Sequence, residues 1–165
     1  MGLLRGKFEA NGELLMDLWA KMTRLPGGKL VFSRLAGRLA PYTGTIKAYV
    51  EDLEPGYARL SMNDRPGLRN HLKSIHAIAL ANFVEETTGM AMVSQFPSGM
   101  RGIVTHIEVD YLKKARGKLI AECRAPAVDE SVTAEYTVET QVMDGNGDIV
   151  AVGRARWNVG AVREV

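Results

Sequence analysis

Residues 70–86 read NHLKSIHAIALANFVEE, and their reading decides the fold. Eight of the ten residues from Ile75 to Val84 are apolar. They fall on every side of a helix rather than on one stripe, and a helix apolar nearly all round is a buried helix. The spacing predicts a long helix beginning near Ser74. Yet Asn70, His71 and His76 stand at its start, and two adjacent carboxylates, Glu85 and Glu86, stand near its end. From His76 to Glu85 is nine residues. Along a helix that is roughly 13 Å, and nine steps of ~100° put the two on opposite sides. Within one chain they cannot share a site. Two copies packed antiparallel about a two-fold axis bring the start of one helix near the later turns of the other.

Downstream and upstream of this helix the period changes to two. In TIKAYVED (45–52), Ile46, Ala48 and Val50 alternate with polar residues. Glu54, Pro55 and Gly56 predict a turn, and YARLSMND (57–64) predicts a second strand with Ala58, Leu60 and Met62 inward and Tyr57, Arg59 and Ser61 in water. After the helix, Ile103, Thr105, Ile107, Val109 and Tyr111 are expected on one strand face. KLIAECRA (118–125) follows, then SVTAEYTVETQV (131–142) with Val132, Ala134, Tyr136, Val138 and Val142 on one side. DGNGD turns the chain into IVAVGRARWNV (149–159). Alternation of this kind implies an antiparallel sheet wet on one face. The other face needs a cover, and only the 70–86 helix is apolar enough to supply it. Before the strands, residues 7–25 predict an amphipathic helix through Leu15, Leu18, Trp19, Met22 and Leu25, ended by Pro26-Gly27-Gly28. A short second helix is expected over 29–39.

The chain has 165 residues, 46% of them hydrophobic and 24% charged, which fits one globular domain with a real core. The fold class expected is α+β: residues 1–40 a helical extension, 44–160 the core. One cysteine, Cys123, allows no internal disulfide framework and suits a reducing compartment. No apolar run reaches the ~18 residues of a membrane span, and the first residues lack the apolar block of a signal peptide. The expectation is a cytoplasmic protein that binds neither membrane nor nucleic acid. A net charge of +2 with no interleaved aromatics is weak for a polyanion partner. His71, His76, His106 and Cys123 show no metal-ligand spacing. DGNGD starts like a calcium loop, but Ile149 stands where the glycine is needed and Ala155 at the last ligand position. No phosphate-cradling glycine loop or serine elbow occurs.

Asn70, six residues before His76, with Glu85 nine after it, resembles the motif of hotdog-fold thioesterases of the phenylacetate-pathway (PaaI-like) type. The run IEVDYLKKARG (107–117) is similar to the strand after the central helix in the same superfamily, and the chain looks most like its bacterial, DUF4442-like branch. The resemblance covers about residues 44–160. It implies a hotdog, an antiparallel sheet curled round one helix, as a homodimer or a dimer of dimers. It also implies hydrolysis of an acyl thioester of coenzyme A or acyl carrier protein, with no cofactor beyond the coenzyme A of the substrate. On that resemblance Glu85 activates water or attacks the carbonyl, and the adjacent Glu86 is the alternative base. The amide of Ala77, at the positive end of the helix, holds the developing oxyanion. Asn70 orients water or thioester, and His76 holds the turn. Thr105 stands near a position where relatives place a hydroxyl against the carboxylate. Ile78, Phe83, Glu86 and Met90 would line the acyl channel, and Lys113, Lys114 and Arg116 would meet coenzyme A phosphates.

The plainer readings differ. Glu85 and Glu86 mark where a helix reaches water, Asn70 caps a turn, and the 113–118 basic cluster is a solvated loop. The sequence also departs from the family pattern. Ala77-Ile78 replaces Gly-Gly, and Glu85 replaces the commoner Asp. The branched Ile78 could narrow the channel, which keeps open a hotdog that binds an acyl thioester or fatty acyl group without cleaving it. A hydratase on the same fold has no matching motif here.

Overall fold

The structure is a computed structural model that describes residues 12–162. Helices α1 (Gly12–Met22) and α2 (Gly28–Leu39) lead through a 3-10 turn (Thr43–Ile46) into strands β1 (Tyr49–Glu54) and β2 (Tyr57–Met62). A second 3-10 turn (Pro66–Leu68) precedes α3 (Ala77–Val93), and β3 (Met100–Tyr111), β4 (Leu119–Arg124), β5 (Ala134–Met143) and β6 (Ile149–Ala161) complete the chain. The six strands form one sheet in the order β1-β2-β4-β5-β6-β3, with every neighbouring pair antiparallel. This is the α+β hotdog expected, with α3 as the filling.

Helix α3 buries Leu80, Phe83, Val84, Thr87, Ala91 and Met92, the (i, i+3, i+4, i+7) set of one broad face. Strand β6 sets Ala151, Gly153 and Ala155 beneath it, side chains small enough for helix and sheet to approach closely. A Cβ on Gly153 would stand 2.4 Å from the Val84 methyls, so no larger residue fits. Around this line β4 contributes Leu119, Ala121 and Cys123, and β5 contributes Val138, Thr140 and Val142. Each fully buried large apolar side chain contributes about 1.5–3 kcal/mol. Thr140 is tolerated there because its hydroxyl donates to the Glu122 carbonyl at 2.8 Å.

The extension packs on the β1 side. Trp19 meets Phe32 edge-to-face at 5.0 Å, which joins α1 to α2. Ser33 on α2 accepts the Val50 amide at 2.9 Å, and the Lys29 ammonium donates to the Glu51 carbonyl. The helix therefore satisfies β1 along its outer edge.

Several boundaries and faces differ from the sequence expectation. The first helix ends at Met22, before Leu25, and the expected residues 7–11 lie outside the described residues. Strand β1 starts at Tyr49 because residues 43–46 form a 3-10 turn, with Lys47 left-handed at its end. Ile46, Ala48 and Val50 are all buried, so the alternation reported burial and not extended backbone. Helix α3 starts at Ala77 because His76 caps it. On β2, Tyr57 and Ser61 are buried as well. Tyr57 lies under Arg124 and donates to Glu122, and Ser61 donates to Glu51.

The largest difference is on β3. Val104 pairs with Trp157 and His106 with Arg156, which leaves Thr105 as the extra residue of a bulge. The bulge swaps the faces. Ile103 and Thr105 point outward with Asn158 and Arg156, whereas Ile107, Val109 and Tyr111 point inward with Ala155, Gly153 and Ala151. The five residues expected on one face are divided between two.

Candidate functional site

The start of α3 is built by the loop that precedes it. The Asn70 carbonyl oxygen accepts from the Leu72 amide (2.9 Å), the Ser74 amide (3.3 Å) and the Ser74 hydroxyl (3.2 Å). What Asn70 can still offer a ligand is its NH2. The His76 amide bonds the Leu68 carbonyl, and its ring Nδ1 accepts the Ile78 amide at 3.1 Å. His76 is thus the N-cap, a role that requires an unprotonated Nδ1. First-turn amides have no intrahelical acceptor. With that of Ile78 taken by the cap, the Ala77 N–H has no partner among the described residues.

This amide opens into a cleft of about 350 Å³ lined by Asn70, Ala77, Leu80, Tyr111, Lys113 and Lys114, among others. The Tyr111 hydroxyl donates to the Ala77 carbonyl at 3.0 Å and ties the edge strand to the first helical turn. Burial raises the Tyr111 pKa above the usual phenol value. His76 and Ile78 lie on the other side of the helix start, lining a smaller opening of about 180 Å³ with Tyr42 and Asn82.

The carboxylates sit further along α3. Its accessible stripe runs Ile78, Ala81, Glu85, Gly89, a mixed i+3/i+4 spacing. Glu85 is half-buried there, and the Thr43 hydroxyl donates to it at 3.4 Å. Burial raises its pKa, and the Thr43 bond lowers it by less. Glu86 is turned beneath α2 and buried. Its pKa is pushed up to about 8, first by burial and then by the charge of Glu85.

The remaining candidates are scattered. Phe83 is fully buried in the core, and Met90 packs partly buried against it. The Lys113 ammonium is held by Asp144 at 3.0 Å and Asp148 at 2.5 Å, both from the DGNGD turn. Arg116 donates to the carbonyls of Leu72 and Lys73. Of the three basic residues, Lys114 has no partner among the described residues and faces the cleft. The Thr105 hydroxyl bonds Glu135 and the Arg156 carbonyl on the outer sheet face, away from α3. Among the described residues no cluster of three His, Cys, Asp or Glu could hold a metal, and no helix is long and apolar enough to cross a membrane. Burial pushes the Cys123 thiol up to about 12, too high for a nucleophile.

Sequence reasoning missed Thr43 and Tyr111. Thr43 lies between extension and core, with nothing local to pair it with Glu85. Tyr111 read as one more core residue of a strand; its hydroxyl was the only hint of a second task.

With this geometry in view, comparison with known proteins is specific. A family model described as a domain of unknown function, DUF4442, matches residues 28–159. The chain belongs to the DUF4442 family. A Halobacterium salinarum protein named "Putative esterase" is 33% identical over 118 residues, covering 67% of this chain and 78% of that protein. A Pseudomonas aeruginosa protein of unknown function, described as "Probable Thioesterase", superposes with a TM-score of 0.70 at 27% identity over 84% of this chain and 97% of that one. A further crystal structure, known only by a genomics label, reaches a TM-score of 0.76 at 27% identity over 90% and 98% of the two chains. This DUF4442 chain thus has one relative named a putative esterase and another described as a probable thioesterase. The match begins at Gly28, so it takes in α2 as well as the hotdog core.

Proposed function

We propose that this DUF4442 chain hydrolyses acyl thioesters of coenzyme A or acyl carrier protein, at sites built from two copies of itself. The observation that supports this best is Glu85. It is a carboxylate on the accessible stripe of α3, and its proton affinity is raised by burial. A carboxylate whose proton affinity is raised is a stronger base than an ordinary one. The Ala77 amide is eight residues away, roughly 12 Å along the helix. A second copy must therefore bring its own Ala77 to this Glu85.

The sheet favours such pairing. Strand β3 is an edge of twelve residues. Its inward-facing Ile107 and Tyr111 and its outward Ile103 are exposed. Bare apolar edges of this length invite another strand. In the paired site Glu85 takes a proton from water, and the water oxygen attacks the thioester carbon. The oxyanion forms against Ala77 of the second copy, beside its Asn70 NH2. The C–S bond breaks, and the proton leaves with the thiol. Lys114 is placed to meet a phosphate of the coenzyme.

The test is thiol release from a panel of acyl-CoAs. A positioned general base contributes ~10²–10⁴-fold, so Glu85→Ala should lose at least about 100-fold with its association state unchanged. Equal rates in the two proteins would remove Glu85 from the chemistry. One feature favours the non-hydrolytic alternative. Ile78 is 56% exposed at the helix start, where the family pattern has glycine, so the sequence departs from that pattern beside the Ala77 amide. On that reading acyl-CoA binds but no thiol is released, and Ile78→Gly does not restore turnover.

A further inference from the structure

Beneath α2 lies a further cavity, of about 620 Å³, separate from both openings at the start of α3. It is lined by α2, the 43–46 turn, β1, β2 and α3, with Lys118 at its edge, all from one chain. Its volume is in the range of small-molecule sites, ~300–1,000 Å³. The buried part of its wall includes Ser33, Ala48, Ser61 and Glu86; Arg34, Arg38, Lys47 and Lys118 are exposed at its rim.

Most polar groups of this wall are already satisfied. Ser33 donates to the Lys29 carbonyl at 2.7 Å and accepts the Val50 amide. A bulge on β1 leaves Glu51 as the extra residue, and its carboxylate takes Ser61 at 2.6 Å and Lys118 at 2.8 Å. Two things are left over. Glu86 keeps 8% of its surface exposed, and its Oε2 is buried with no partner among the described residues. Arg34, Arg38 and Lys47 have no acidic partner among the described residues. A buried carboxyl oxygen left unpaired is destabilising, and a ligand atom bonded to it would offset that. Glu86 titrates near 8, so at neutral pH it carries a proton and donates a hydrogen bond. It therefore calls for an oxygen acceptor, while the cationic rim calls for an anion.

We propose that this cavity binds a small organic acid with a second carbonyl oxygen at its far end, the acid group held by Arg34, Arg38 and Lys47 and the far oxygen by the Glu86 carboxyl. The site does not rest on the thioesterase reading, since one chain supplies every group and Glu85 takes no part.

Calorimetric titration of the full chain tests this at pH below the Glu86 titration. The probes are α,ω-dicarboxylates from succinate to dodecanedioate, their monomethyl esters, and monocarboxylates of equal length. At least one dicarboxylate or half-ester should bind about tenfold more tightly than its monocarboxylate counterpart. The exposed pair Arg34→Ala/Arg38→Ala should weaken binding about tenfold without disturbing the fold. Glu86→Leu should erase the preference for the second carbonyl; Glu86→Gln, whose amide still donates, should keep it. Glu85→Ala should bind as the natural chain does, whatever becomes of thioester hydrolysis. The proposal is overturned if no member of the series binds, if monocarboxylates bind equally well, or if the arginine variant binds unchanged.

Discussion

At β1 the sheet ends beneath its own chain, whereas at β3 it ends in the open. Both are edge strands of the same sheet. Along β1, helix α2 accepts the Val50 amide through Ser33 and supplies Lys29 to the Glu51 carbonyl. Along β3, twelve residues run with one side unpaired, and Ile103, Ile107 and Tyr111 are exposed, as is Leu112 just after the strand. Unpaired edges are ordinarily shortened, charged or covered. Covering one and leaving the other bare is what a chain needs if it is to pair in one direction only. The extension would then confine association to β3, the edge beside the Ala77 amide.

The bare edge is the place to break this contrast with the largest effect. Ile103→Lys/Ile107→Lys puts a charge on each face of β3, where like charges would oppose themselves across a two-fold axis. Association should be lost, and thioester hydrolysis should fall at least about 100-fold, because each chain then lacks its neighbour's oxyanion donor. Both side chains are exposed, so folding of the single chain should change by about 1 kcal/mol or less. Light scattering and thiol release on the same samples check the pair of outcomes. A fully active monomer would end the two-chain reading.

At the covered edge, burial carries a pH signature. Glu86 lies beneath α2 with a pKa near 8 against an ordinary 4.5. Below about 4.5 both folded and unfolded chains hold its proton, and there is no penalty. As pH rises toward 8 the unfolded chain ionises first, so the native state loses relative stability, and above 8 the loss is complete. At ~1.4 kcal/mol for each pH unit of separation, the loss is on the order of 4–5 kcal/mol at most. Glu86→Gln should match the natural chain in acid and exceed it by a few kcal/mol in mild alkali. Urea unfolding at both ends of the range measures it; an equal advantage at both would mean packing and not titration.

Much of this was legible in the sequence, for one reason. The apolar run from Ile75 to Val84 could only be a buried helix, and alternation elsewhere could only be a sheet around it. Asn70, His76 and Glu85 could be picked out because their spacing resembles a family motif. What the sequence could not carry was register. A single extra residue at Thr105 turned Ile103 and Ile107 to opposite faces, and nothing in the composition of that strand marks the bulge. Nor could spacing tell that Asn70 spends its carbonyl on Ser74, that Lys113 is taken by Asp144, or that Glu86 faces α2 while Glu85 faces outward. Those are consequences of tertiary packing between segments far apart in the chain.

A smaller change tests the cover itself. Ser33→Ala removes the acceptor of the Val50 amide and leaves a buried N–H unpaired. The cost should be about 1–3 kcal/mol in denaturant unfolding. Association should stay as it is, because α2 still occupies the edge by packing. If Ser33→Ala chains instead form higher assemblies, the covering of β1 depends on that one hydrogen bond.

The smallest expected effect lies where the two regions touch. Thr43 belongs to the turn that follows α2, and its hydroxyl donates to Glu85, the carboxylate of the open side. A donor stabilises the ionised carboxylate, so this bond holds the Glu85 pKa below the level that burial alone would set. Thr43→Val keeps the shape and removes the donor. The Glu85 pKa should then rise further, and the acid limb of the kcat/KM profile should move to higher pH. At pH well above that limb the natural and variant rates should converge, since both carboxylates are then ionised. A limb that stays still would mean that the 3.4 Å contact does not survive in the working assembly. A limb that moves to lower pH would mean that the hydroxyl is an acceptor from a protonated Glu85, and the base would need to be sought elsewhere on α3.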